Sequence, residues 1–114
     1  MTFVLQILPN AKDEQMIDFD AARGKIETYL NKSGVDLAIS RSGSFSDGWY
    51  FFYQSKKYLE SGDLSDLLLG MGPIIVDKFT EKFYALGSSN IGTNYIEEYI
   101  RQKNNSKIIF QEIY

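Results

Sequence analysis

The stretch Gly43–Ser55 reads Gly-Ser-Phe-Ser-Asp-Gly-Trp-Tyr-Phe-Phe-Tyr-Gln-Ser and holds the only tryptophan of the chain. Five consecutive aromatic residues, Trp49–Tyr53, follow a cluster of Gly, Ser and Asp, a pattern that predicts a β-strand. Side chains alternate along a strand, so Trp49, Phe51 and Tyr53 share one face and the other two aromatics share the opposite face. A strand that is apolar on both faces is packed on each side, and we therefore expect a central strand with Trp49 largely buried.

Alternating apolar and polar residues before this strand predict a first hairpin. Val35–Ser40 places Val35, Leu37 and Ile39 on one inward face and polar or small residues on the other. Arg41–Gly48 is interpreted as the connection to the aromatic strand.

A second hairpin is predicted further along the chain. Pro73–Asp77 contains a short apolar run, and Pro73 suits the first position of a strand, where its missing N–H does least harm. A turn leads from Asp77 to a returning strand at Lys82–Leu86, and Gly87–Gly92 is predicted to be a polar loop.

Two segments have the periodicity of amphipathic helices. Asp18–Ser33 begins at a residue that can cap a helix, and Asn94–Gln102 begins with Asn94 three residues before a glutamate, which suits a capping box. Their apolar stripes comprise Phe19, Ala22, Ile26, Tyr29 and Leu30 in the first helix, and Tyr95, Ile96, Tyr99 and Ile100 in the second.

These elements predict an α+β fold, with a small antiparallel sheet built from two hairpins and packed with an N-terminal and a C-terminal amphipathic helix. The length of 114 residues indicates one domain, 1–114. Within it, residues 1–17 form an extension whose Thr2–Leu8 segment is compatible with a strand or with irregular structure. Ser106–Tyr114 is interpreted as a last strand that pairs near the N-terminal one.

The segment Gln54–Gly72, which we name the long connection, is the least regular part of the chain. Lys56–Glu60 and Asp63–Leu69 predict two short helical turns separated by Ser61-Gly62, with Asp63 as a cap. Five leucines in it are expected to tie the segment to the core. Loops of this length in compact domains are often functional.

Three acidic side chains lie within the long connection, and their role has two interpretations. Glu60, Asp63 and Asp66 serve helix capping and solubility in one interpretation, and form an anionic face for a partner in the other. In the second interpretation Tyr58 supplies an aromatic anchor beside the carboxylates.

Composition restricts the function classes. The 15 acidic and 12 basic residues give a formal charge of −3, which suits a basic partner and argues against binding to nucleic acid. Histidine and cysteine are absent, so the Ser-His-Asp and Cys-His nucleophile arrangements and the commonest zinc ligands are missing. A pair of carboxylates remains possible, as in any chain this acidic, but no motif marks one. We expect no enzyme activity, no catalytic residue, no metal and no cofactor.

The N-terminal segment and the lengths of the apolar runs indicate the cellular location. Met1–Leu8 is apolar but lacks the basic segment and the small-residue cleavage site of a signal peptide. No apolar run approaches the length of a membrane span. A cytoplasmic protein is expected.

Five motifs, taken in order, resemble a known family. They are Gly48-Trp-Tyr-Phe-Phe-Tyr53, Tyr58-Leu-Glu-Ser-Gly-Asp63, Gly72-Pro-Ile-Ile-Val-Asp-Lys78, Leu86-Gly-Ser88 and Tyr95-Ile-Glu-Glu-Tyr99. The chain resembles the YrhB-like domain, or immunity protein 35 family, although it has Ser88 where the family often has threonine.

The resemblance implies a small α+β protein without a catalytic site, which binds a cognate bacterial toxin encoded beside it, one-to-one, and neutralises it sterically. One family member is linked to chaperone-like behaviour, so a general protein-stabilising factor is the alternative. The matched residues are interpreted as positions that build the fold: Trp49, Gly62, Gly72, Pro73, Asp77 and Gly87.

Overall fold

The structure is a computed structural model that describes residues 17–69, 71–87 and 94–114. Its elements, in chain order, are α1 (Phe19–Asn31), β1 (Leu37–Phe45), β2 (Gly48–Ser55), α2 (Lys56–Ser61), a 3-10 turn (Leu64–Asp66), β3 (Met71–Asp77), β4 (Lys82–Gly87), α3 (Tyr95–Asn104) and β5 (Gln111–Glu112). The predicted strand at Thr2–Leu8 and most of the predicted loop Gly87–Gly92 lie outside the described residues.

The five strands of the described residues form one antiparallel sheet in the order β1-β2-β3-β4-β5. The prediction of an α+β fold with two hairpins and two flanking helices is therefore confirmed. The C-terminal strand is only two residues long and pairs with β4. None of the helices in the described ranges is both long enough and apolar enough to span a membrane.

The two long helices cover opposite faces of the sheet. α1 packs its predicted stripe against one face, whose fully buried residues include Phe51, Ile74 and Val76. α3 packs against the other face, around Ile75 and Tyr84. The central strands are thus covered on both faces, which explains their nearly continuous apolar sequences.

The predicted caps start both helices. The Asp18 carboxylate accepts a hydrogen bond from the Ala21 N–H at 2.8 Å. The Asn94 side chain accepts from the N–H groups of Ile96 and Glu97 at 3.0 and 3.1 Å. Each cap satisfies backbone donors that the first helical turn leaves without partners.

The first hairpin differs from the prediction. Arg41–Phe45 belongs to β1, and the turn consists only of Ser46 and Asp47. Val35, which we placed on the inward face, precedes the strand and is 52% exposed. Gly is depleted in strands and both Gly and Ser are frequent in turns, so the composition of this segment favoured a loop, whereas pairing with β2 makes it a strand.

A β-bulge interrupts β1 and reverses its faces. Ile39 pairs with Tyr53, whereas Arg41 pairs with the adjacent Phe52, so Ser40 is an extra residue on the β1 side. Before the bulge β1 directs Ile39 towards α1. After it, Arg41 shares the opposite face with Phe52, since one inserted residue moves every following side chain to the other side of a strand.

Trp49 packs against the core beneath α1, as expected, but it is less completely buried than its neighbour Phe51. Its ring contacts Phe19 edge-on at 6.0 Å between ring centroids, at the margin of the core. Phe51, two residues along on the same face, is 0% exposed and fills the centre. The difference arises because Trp49 lies near the hairpin end of β2, whereas Phe51 lies under α1.

Pro73 is the third residue of β3 rather than its first. The pairing of β3 with β4 is irregular between Met71 and Ile74, so the missing N–H of Pro73 falls where no regular ladder bond is needed. Gly72 lies against β4, where a Cβ atom would come within 2.6 Å of the Leu86 carbonyl oxygen. Gly87 is the exposed last residue of β4.

Candidate functional site

The long connection is a chain of capped short turns. The Ser55 hydroxyl accepts from the Tyr58 N–H at 3.3 Å and starts α2. Gly62, in the left-handed conformation with φ of 72°, ends α2 and donates to the Tyr58 carbonyl at 2.8 Å. Asp63 then caps the 3-10 turn by accepting from the Ser65 N–H at 3.0 Å. The two predicted turns and the Asp63 cap are confirmed, but α2 includes Ser61, and the second turn covers only Leu64–Asp66 of the predicted Asp63–Leu69.

The leucines of this segment do not behave as predicted. Leu59, Leu64 and Leu69 are 45%, 74% and 80% exposed, and Leu68 is the one that packs against the core beneath α1. The reason is that α2 and the 3-10 turn are too short to present a continuous apolar stripe to the sheet. The expectation that the leucines tie the whole segment to the core is therefore wrong.

Gln54 holds the far end of the segment to β2. Its side chain donates to the Leu68 carbonyl at 3.0 Å and accepts from the Leu68 N–H at 2.7 Å. These two bonds satisfy both backbone groups of Leu68, so this residue is fixed on the core while the turns before it remain on the surface.

The four predicted partner-binding residues lie along this segment with different exposures. Glu60 and Asp63 are exposed, and Tyr58 and Asp66 are half-buried. The N–H of Ser65, followed by its hydroxyl, lowers the pKa of Asp63, so this carboxylate stays ionised. The exposed leucines of the same segment lie close to these residues in the sequence.

Sequence reasoning missed the contribution of the leucines to the exposed surface of this segment. The sequence does contain a signal: the leucines at 59, 64 and 69 are five residues apart, a spacing that does not return to the same helical face.

A second cluster of polar residues lies at the end of the sheet opposite to the long connection, around a buried aspartate. The Asp77 side chain is 0% exposed. It accepts from the N–H groups of Phe79 and Thr80 at 2.9 and 3.1 Å, from the Tyr99 hydroxyl at 2.8 Å and from the Lys103 ammonium at 2.6 Å. Lys103 also donates to the Asp47 carboxylate at 2.8 Å.

The pKa values of this cluster reflect two opposing effects. Burial raises the pKa of Asp77, but the hydrogen bonds from Lys103, Tyr99 and the turn amides outweigh it, and the pKa is lowered overall. Burial lowers the pKa of Lys103, but the hydrogen bonds to Asp47 and Asp77 outweigh this effect, and the pKa is raised overall. Burial, assisted by the Asp77 charge, raises the pKa of Tyr99.

This cluster stabilises the fold, and donors of the protein itself surround its central carboxylate. A carboxylate has about four acceptor positions, and four donors occupy those of Asp77. The cluster joins the turns of both hairpins to α3. Within residues 17–69, 71–87 and 94–114, no three potential ligands among His, Cys, Asp and Glu come together as a metal site.

Comparison with known proteins identifies the family. The model of a family described as immunity protein 35 matches residues 20–99, from α1 into α3. A protein of Escherichia coli (strain K12) named uncharacterized protein YrhB is 33% identical over 84 residues, which cover 74% of this chain and 89% of that protein. Comparison with solved structures found no significant match. The family model covers well over half of the chain, and the chain belongs to the immunity protein 35 family.

Proposed function

We propose that this protein binds one molecule of a cognate bacterial toxin and blocks it sterically, without chemistry, in the cytoplasm. Membership of the immunity protein 35 family supports the class of function. The observation that carries the interface is the exposed surface of the long connection, where leucines stand among carboxylates.

In our proposal, the exposed apolar side chains of the long connection provide most of the affinity for the toxin. Leu64 and Leu69 are among the most exposed large hydrophobic residues of the described chain. Contiguous apolar groups on a soluble protein commonly mark interaction sites. Tyr58, half-buried at the base of α2, would contribute a rigid aromatic side chain at low entropic cost.

The carboxylates select the charge of the partner. In this proposal Glu60 and Asp66 meet a toxin surface that is basic, such as a substrate groove lined with Lys and Arg. Asp63 has a second task because its carboxylate caps the 3-10 turn, so it positions the segment as well as carrying charge. Opposite charges across such an interface accelerate association and fix orientation.

The test is a charge reversal on this surface. Glu60→Lys combined with Asp66→Lys is expected to weaken binding to the product of the neighbouring gene by at least about 10-fold, or about 1.4 kcal/mol. Asp20→Lys combined with Glu27→Lys is the matched control, because it changes the net charge equally at exposed positions of α1. Thermal unfolding of both variants is measured first, and light scattering gives the stoichiometry.

Two results would contradict the proposal. Equal affinity of the two double variants would move the interface away from the long connection. Failure of the wild-type protein to bind any neighbouring gene product, together with suppressed aggregation of unrelated heated proteins, would favour the chaperone-like alternative.

A further inference from the structure

Arg41 occupies a prepared position on the sheet face that carries α3. The bulge at Ser40 sets it opposite Phe52, and its guanidinium lies 4.2 Å from the centroid of the Phe52 ring. In a regular β1 without the bulge, Ser40 would pair with Phe52 and Arg41 would point to the face of α1. Bulges that re-aim a side chain are common beside binding sites.

The Arg41 guanidinium has spare binding capacity. The residue is exposed, and no carboxylate pairs with it within the part of the chain that the structure describes. Stacking on Phe52 holds the planar group in place while leaving its N–H donors at the edge. An arginine prepared in this way suits two parallel hydrogen bonds to a carboxylate.

Two clefts meet at Arg41 and Phe52. One, of about 240 Å³, extends towards α3 and is lined by Tyr50, Pro73 and Tyr95, among others. The other, of about 430 Å³, extends to the end of the long connection at residues 67–69. Their walls are mainly aromatic and aliphatic, so the positive charge stands at the centre of an apolar groove.

We propose that Arg41 and Phe52 are the anchor of the toxin interface and receive an acidic residue of the toxin flanked by large apolar side chains. The carboxylate would bind the Arg41 guanidinium, and the flanking side chains would enter the two clefts. This inference rests on the proposed function and deepens it. The second cleft ends at Leu69, which also belongs to the surface of the long connection, so both regions form one continuous interface.

The acidic residues of the long connection and the Arg41 anchor together define the chemistry of the partner. The toxin surface must be basic opposite Glu60 and Asp66, and must carry a single carboxylate beside apolar residues opposite Arg41. Charges of both signs in a fixed arrangement reject partners that are merely basic. Arginine and aromatic residues also dominate the energetics of protein interfaces.

The experiment measures the affinity of the whole protein for the purified product of the neighbouring gene. Arg41→Ala is expected to weaken binding by at least 10-fold, and Arg41→Lys by a smaller factor, because lysine keeps the charge and loses the planar fork. Arg23→Ala, which removes an exposed arginine from α1, is the matched control and is expected to bind as the wild type does. Circular dichroism and thermal unfolding verify the fold of each variant.

A charge swap identifies the toxin residue. Each Asp or Glu of the toxin is changed to Arg, and one such variant is expected to bind Arg41→Glu at least 10-fold more tightly than it binds the wild-type protein. Binding of Arg41→Ala within two-fold of wild type, or equal losses for Arg41→Ala and Arg23→Ala, would overturn the inference while leaving the proposed function intact. Absence of binding by the wild type would refute the proposed function itself.

Discussion

The buried carboxylate of Asp77 provides the sharpest test of how this fold is held together. Asp77→Asn keeps the shape of the side chain and removes its charge. The amide oxygen can still accept from the N–H groups of Phe79 and Thr80, which bind Oδ1. The amide nitrogen then occupies the place of Oδ2, where it meets the donors of Tyr99 and Lys103.

The expected cost follows from these contacts. Removing one partner of a buried ion pair costs about 3–5 kcal/mol, because the other charge remains buried. Here Lys103 retains Asp47 at 2.8 Å and its side chain is 27% exposed, so the loss is smaller. We expect the free energy of unfolding to fall by about 2–4 kcal/mol. At about 4 °C per kcal/mol, the melting temperature falls by roughly 8–16 °C.

The dependence on pH has a definite sign. The pKa of Asp77 is lower in the folded protein than in the unfolded chain, so its stabilisation is present above the unfolded pKa of about 3.9. As the pH falls through this value towards the folded pKa, the unfolded chain takes up a proton first, and the stabilisation is lost. Asp77→Asn lacks this group and should therefore lose less stability than wild type on acidification.

The assay is urea unfolding, followed by the fluorescence of Trp49 between pH 3 and pH 7. Asp47→Asn is the control, because it removes the other, partly exposed partner of Lys103 and should cost less. A loss of stability below about 1 kcal/mol for Asp77→Asn at pH 7 would refute the reasoning. It would also be refuted if the free energies of unfolding of wild type and Asp77→Asn fell in parallel on acidification.

Three further predictions concern the sheet and the long connection. Phe51→Ala should lower the free energy of unfolding by about 3–5 kcal/mol, and Trp49→Ala by less, in chemical denaturation, because only Phe51 is fully buried. Gly48→Ala should cost roughly 3 kcal/mol or more in the same assay, since its Cβ atom would lie 1.8 Å from a carbonyl oxygen of β3. Gln54→Ala should cost about 1–3 kcal/mol and accelerate amide exchange in the long connection before the central strands.

Local chemistry in the sequence determined most of the secondary structure. The alternation of aromatic residues after Gly48 assigned the two faces of β2, and the structure packs Phe51 and Tyr50 against opposite helices. The caps at Asp18, Asn94 and Asp63 were also readable, because each involves a side chain and a backbone N–H two or three residues away. Interactions over so short a distance depend on residue type and spacing alone.

The tertiary structure alone decided which part of the long connection is held on the core. The five-residue spacing of Leu59, Leu64 and Leu69 argues against one core-facing helical stripe, but it does not show that Leu68 is the residue held in place by the side chain of Gln54. The Asp77–Lys103 pair was likewise hidden, since its members are 26 residues apart in sequence and meet only when α3 docks on the sheet.

The bulge at Ser40 is the clearest case of a feature that the sequence did not reveal. The residues 41–45 are compatible with a loop and with a strand shifted by one position. Pairing with β2 resolves this, because the insertion lets Phe45 pack on Tyr99 at 6.2 Å and Arg41 stack on Phe52 at 4.2 Å. The free energy that favours the bulged register comes from these contacts with distant residues, and no local propensity contains it.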